Sequence, residues 1–112
     1  MTSSKTHRIV LVTCGSLTEA RRIASKLVQG RLAACVSSLL GPVESVYRWK
    51  GRVEKAREVM LVIKTTQSRL AALEARILKL HSYETPEIIV LPLVAGLPKY
   101  LRWLTESVTK NK

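Results

Sequence analysis

The sequence predicts an α+β fold with helices on one face of an antiparallel sheet, and three features of the chain lead there. Two runs, Ile9-Val10-Leu11-Val12 and Val59-Met60-Leu61-Val62-Ile63, are apolar at every position, the pattern of strands covered on both faces. Each is followed by a stretch with apolar residues at helical spacing, so strand and helix alternate. Between these units lies Ser45-Val46-Tyr47-Arg48-Trp49-Lys50-Gly51, where Tyr47 and Trp49 alternate with Val46, Arg48 and Lys50 and give an extended strand an aromatic face. Turn residues on both sides, Leu40-Gly41-Pro42 and Gly51-Arg52, predict a hairpin arm projecting from the sheet. Such an arm either offers its two rings to a partner or packs them on its own sheet, and spacing alone weights the two equally.

With 112 residues, 46% of them hydrophobic, the chain suffices for one domain with a real core, assigned to residues 8–108 between a disordered N-terminal tail, 1–7, and a C-terminal tail, 109–112. Nineteen Lys and Arg against eight Asp and Glu give a formal charge of +11, which attracts anionic partners. The cations are scattered from Lys5 to Lys112 without a dense cluster, and no helix-turn-helix, zinc-finger or RNP-like pattern is present, so nucleic acid is not the expected partner. No run approaches the roughly 18 apolar residues of a membrane span. Cys14 and Cys35 lie in apolar segments with no signal-peptide pattern ahead of them, and the expected compartment is a reducing cytoplasm.

Taken in order, Arg8 to Cys14 is a strand that stops at Gly15. Ser16-Leu17-Thr18-Glu19 has capping-box spacing and opens a helix whose Leu17, Ala20, Ile23, Ala24, Leu27 and Val28 share one face, with Gly30 placed as its C-terminal cap. Leu32 to Leu39 is the next strand, returned by Leu40-Gly41-Pro42 into the Tyr47/Trp49 strand. Glu58 to Thr66 is the second central strand. Ser68 caps a helix that buries Leu70, Leu73, Ile77 and Leu80, and His81-Ser82-Tyr83-Glu84-Thr85-Pro86 ends it. Ile88 to Leu91 is a strand placed at a sheet edge by Pro92, and Pro98 opens a last helix with Leu101, Leu104 and Val108 inward. This is the order of a ferredoxin-like βαββαβ sandwich with an extended β-hairpin arm and an extra C-terminal helix.

Six successive blocks, Val12-Thr13-Cys14, Arg31-Leu32-Ala33-Ala34-Cys35-Val36, Tyr47-Arg48-Trp49-Lys50-Gly51, Ile63-Lys64-Thr65, His81-Ser82-Tyr83-Glu84-Thr85-Pro86-Glu87-Ile88 and Tyr100-Leu101-Arg102-Trp103-Leu104, resemble those of the divalent-cation tolerance protein CutA family over roughly residues 8 to 108. The resemblance implies a tight homotrimer of PII-like architecture with strands continuing across subunits. It also implies binding of copper(II) or another divalent metal and a role in metal tolerance. The family's His-Pro-Tyr stands here as His81-Ser82-Tyr83, and acids alternate with bases in Gly51 to Glu58.

Cys14 and His81 are the candidate metal ligands, because thiolate and imidazole suit copper far better than calcium or magnesium. Against this stand a cysteine that is only a small buried hydrophobe and a histidine that only interacts with a helix dipole; Cys35 reads as core. With the first and Glu58–Thr66 strands taken as parallel, the two ligands fall at opposite ends of the sheet, about 20 Å apart at ~3.3 Å per residue, and share an ion only across a subunit interface. Tyr47 and Trp49, with Lys64, Tyr83 and Glu87, form the candidate interface pocket, whose bland alternative is an inter-strand Lys64–Glu87 ion pair. No nucleophile elbow, phosphate loop or His-Glu-x-x-His is present, so no catalysis is expected. The competing function is an anion- or nucleotide-binding regulatory module that depends on Lys64.

Overall fold

A computed structural model of the chain describes residues 1–109, so most of the assigned C-terminal tail lies outside the described residues. In chain order the elements are β1 Thr2–Ser3, β2 His7–Cys14, α1 Leu17–Gln29, β3 Cys35–Ser38, β4 Val43–Trp49, β5 Arg52–Thr66, a 3-10 turn Gln67–Arg69, α2 Leu70–Leu80, β6 Ile88–Pro92, β7 Ala95–Gly96 and α3 Pro98–Val108. The main sheet runs β3-β5-β2-β6 with every neighbouring pair antiparallel, the ferredoxin-like order.

β2 and β5 are antiparallel, with Cys14 opposite Val59 and His7 opposite Thr66, which corrects the parallel arrangement expected of them. The reason lies in the connections. A strand, a crossover helix and a strand give parallel strands, and the strand reached through α1 is β3; β5, reached by a hairpin, then runs back between β2 and β3.

The arm is the second correction. β3 and β4 do not pair with each other; both lie along the same edge of β5, running in the same direction. Ser38 faces Leu61 and Val43 faces Glu58, so four residues on one side oppose two on the other, and Leu40-Gly41-Pro42 makes a bulge rather than a reversal. The reversal is the two-residue loop Lys50-Gly51, whose φ values of 51° and 79° are those of the turn that matches the twist of a hairpin. Arg52 to Glu58 pair with β4 beyond the end of β2, and this projecting half of β5 completes the arm.

Helix α1 starts as its spacing predicts, with Glu19 N donating to Ser16 Oγ at 3.1 Å. Its other end closes with Leu32 N on Leu27 O and Arg31 N on Val28 O, but the left-handed position is Arg31, φ 57°, rather than Gly30. The segment expected as a loose N-terminal tail is tied down. Thr2–Ser3 pairs with Ala95–Gly96, and the buried His7 places Nε2 2.8 Å from the Thr105 hydroxyl of α3.

Val10, Val12 and Cys14 with Leu61 and Ile63 form the covered face of the sheet beneath Ala20, Ile23 and Leu27 of α1 and Leu73 and Ile77 of α2. On the other face, Ile9 and Leu11 pair across to Leu91 and Ile89, which are 41% and 45% exposed.

Candidate metal centre and adjoining cleft

Antiparallel pairing decides what meets at the end of the sheet. β2 ends at Cys14 where β5 enters the sheet at Val59. Helix α2 returns along β5 to that same end, and the residue that closes it is His81. Cys14 and His81 are therefore neighbours, not residues at opposite ends of the subunit. Glu19, in the first turn of α1, joins them, and the thiol, carboxylate and imidazole donor atoms all lie within 4.8 Å of one another.

The hydrogen bonds define the ring. His81 Nε2 lies 2.8 Å from the Thr13 carbonyl, which only accepts, and Tyr83 N donates to Nδ1 at 3.1 Å. Nε2 therefore carries the proton, and Nδ1 holds a lone pair 4.0 Å from Glu19 Oε2. Glu19 does more than the predicted capping box asks of it. Its Oε1 accepts from Gly15 N at 3.3 Å and its Oε2 from Ser82 N at 2.7 Å, so one carboxylate laces the end of β2 to the loop after α2.

Burial works to raise the Glu19 carboxyl, but the bonds from Ser82 and Gly15 hold it below its usual value. Cys14, fully buried, has its thiol pushed up to about 12, first by burial and then by the charges of Glu19 and Glu58. The thiol stays protonated until something positive replaces its proton.

A cleft of ≈ 580 Å³ opens beside this cluster. Tyr47 and Trp49 of the arm form one wall, Thr13 and Glu58 lie on the sheet side, and Tyr83 and Glu87 belong to the loop opposite. The Tyr83 hydroxyl donates to Glu58 Oε2 at 2.8 Å, and burial, then this carboxylate, raises its pKa. Tyr83 also stands against His81, ring centroids 4.7 Å apart, so cluster and cleft share a wall. The fit at Gly15 is close, since a Cβ at that position would meet Tyr83 Oη at 3.2 Å.

Four of the five residues predicted for the pocket, Tyr47, Trp49, Tyr83 and Glu87, do line the cleft. Lys64 does not. It sits five residues along β5 from Val59, about 17 Å at ~3.3 Å each, and its Nζ donates to Ser37 Oγ at 2.7 Å and Val62 O at 3.2 Å. Within the single chain, among the described residues, Lys64 neither joins the cleft nor pairs with Glu87. Sequence reasoning missed Glu19 and Glu58, one absorbed into a helix cap and the other taken as the plain start of a strand.

Fold and cluster together define a ferredoxin-like α+β domain that gathers soft and hard metal-ligating side chains at one end of its sheet, under a long β-arm. Residues 8–107 match the family model described as "CutA1 divalent ion tolerance protein", and the chain belongs to that family. It is 44% identical over 101 residues to the divalent-cation tolerance protein CutA of Thermus thermophilus, covering 90% of this chain and 97% of that one. It is 43% identical over 111 residues to the chloroplastic protein CutA of Arabidopsis thaliana, covering 97% of this chain and 60% of that longer protein. The crystal structure of CutA from Xylella fastidiosa superposes with a TM-score of 0.90 at 39% identity, over 94% of this chain and all of that one.

Proposed function

We propose that the chain is a non-enzymatic, cytoplasmic copper(II)-binding protein of metal tolerance that works as a homotrimer, with Cys14, Glu19 and His81 as its ligand set. The observation that carries this reading is the convergence of three donor atoms within 4.8 Å at the end of the sheet. The donor set suits copper or another first-row divalent metal, since a thiolate and an imidazole are soft to borderline ligands and the carboxylate completes the charge. His81 Nδ1 presents its lone pair toward Glu19, and occupying it with a metal costs only the weak Tyr83 N–H bond. Homotrimer formation is supported by the apolar open face of the sheet and by the arm, which extends beyond the covering helices.

Calorimetry with copper(II), and with zinc(II) as a redox-inert probe, tests the ligand set on wild type, Cys14→Ala and His81→Gln. Saturable binding at one metal per chain is expected, weakened at least about tenfold in either variant. Because the Cys14 proton must leave, affinity rises by up to roughly tenfold per pH unit below its raised pKa. Absence of saturable heat in wild type, or binding indifferent to both substitutions and to pH, contradicts the reading.

A further inference from the structure

We propose that the seam between α1 and α2 is a docking surface for the phosphate backbone of nucleic acid. The lysines and arginines lie scattered along the sequence, but the fold brings Arg22 and Lys26 of α1 into one line with Arg69 at the start of α2 and Arg76 and Lys79 within it.

Hydrogen bonds fix both ends of that line. The two helices run back along the antiparallel β2 and β5, so α1 begins where α2 ends. There Glu19 takes Ser82 N, and Arg22 Nη2 donates to Leu80 O at 2.8 Å. At the other end Arg69 Nε donates to Arg31 O, just beyond α1, at 3.2 Å. One flank of α1 thus carries Glu19 and Arg22, and at ~3.6 residues per turn Lys26 is the next residue on it. The facing flank of α2 carries Arg69 and Leu80, and the same spacing sets Arg76 between them with Lys79 beside Leu80. Arg22, Lys26, Arg76 and Lys79 are all exposed.

Charge identifies the partner. Among the described residues none of these cations pairs with a carboxylate, and Arg69 Nη2, withdrawn from water, has no hydrogen-bond partner. The acids of the two helices do not answer them: Glu19 is committed to Gly15 N and Ser82 N, and Glu74 lies off the stripe. An uncompensated line of positive charge fits a line of negative charge. The 11 residues of α2 span about 16 Å at ~1.5 Å each, and a duplex carries a charge about every 1.7 Å of its axis, so the seam meets several phosphates. Neither helix has an aromatic residue for a base to stack on, which makes this a contact with the backbone, independent of sequence. A lipid surface asks for an apolar row beside the cations. Val28 and Leu78, the large exposed apolar residues of these helices, lie on the flanks turned away from the seam. Because α1 and α2 cover the side of the sheet opposite Ile89 and Leu91, the proposed assembly leaves the seam open on every subunit.

A short labelled DNA duplex of mixed sequence is the probe, titrated with the full chain by fluorescence anisotropy over a series of salt concentrations. Wild type is compared with Lys26→Gln/Arg76→Gln/Lys79→Gln and with Lys5→Gln/Lys99→Gln/Arg102→Gln, an equal loss of charge from exposed positions elsewhere. Saturable binding by wild type at low salt is expected. The seam variant binds at least about tenfold more weakly, and its plot of log K against log salt is shallower by about 2 to 3, while the control variant stays within about threefold of wild type. Arg76→Gln alone lowers the slope by about 1. No saturable binding by wild type, an equal loss in both triple variants, or a slope unchanged by the seam substitutions overturns the proposal. So does retention on phosphatidylserine vesicles at a salt concentration that abolishes duplex binding, which assigns the seam to a membrane surface.

Discussion

Glu19 shows how one side chain can join two elements that are far apart in sequence. Its carboxylate takes backbone N–H groups from Gly15 and Ser82, and it is held below its usual pKa despite partial burial. A carboxyl lowered on folding contributes stability that is complete above its unfolded value, near 4.5, and is lost as pH falls through the folded value. Glu19→Gln is therefore expected to be less stable than wild type at neutral pH, by about 1 kcal/mol after allowing for solvent screening. The difference shrinks on acidification below pH 4.5 as wild type loses its charge. Urea denaturation of both chains at neutral and acid pH checks this; a gap that widens in acid contradicts the linkage. The glutamate was visible in the sequence only as a cap. Its reach to Ser82 depends on α1 beginning where α2 ends, a fact of tertiary placement that no local spacing encodes.

At the scale of elements, the two central strands and all three helices were legible because an unbroken apolar run and a 3.6-residue stripe are direct images of burial. Strand direction was not. An alternation or an apolar run reads the same in both senses, so the antiparallel pairing of β2 and β5 had to come from the connections, and with it the meeting of Cys14 and His81. The arm misled for a related reason: Gly and Pro serve a bulge as well as a turn, and Lys50, at φ 51°, carries no glycine-like signal of its left-handed position. Gly51, at φ 79°, does. Gly51→Ala is expected to cost about 1 kcal/mol in the hairpin and to speed amide exchange across Arg52 to Glu58, leaving Val59 to Thr66 protected between β2 and β3. Hydrogen exchange read by mass spectrometry resolves the two halves of β5. Equal exchange in variant and wild type along the arm contradicts the turn's role.

For the whole molecule, the unusual feature is how much apolar surface a well-formed core leaves outside itself. Trp49 and Tyr47 are 40% and 44% exposed, and the face carrying Ile89 and Leu91 is met by α3 at its His7 end but leaves those two residues 45% and 41% exposed. Surface of this kind is covered by another chain far more often than by water. The proposed head-to-tail contact would use arm and open face together and leave each subunit its own candidate metal centre, since Cys14, Glu19 and His81 all come from one chain. Native mass spectrometry with copper(II) reads both properties at once. The account predicts a three-chain assembly carrying one metal per chain, which keeps its three chains and loses its metals in Cys14→Ala. A one-chain mass, or a metal count untouched by removing the Cys14 thiol, would contradict it.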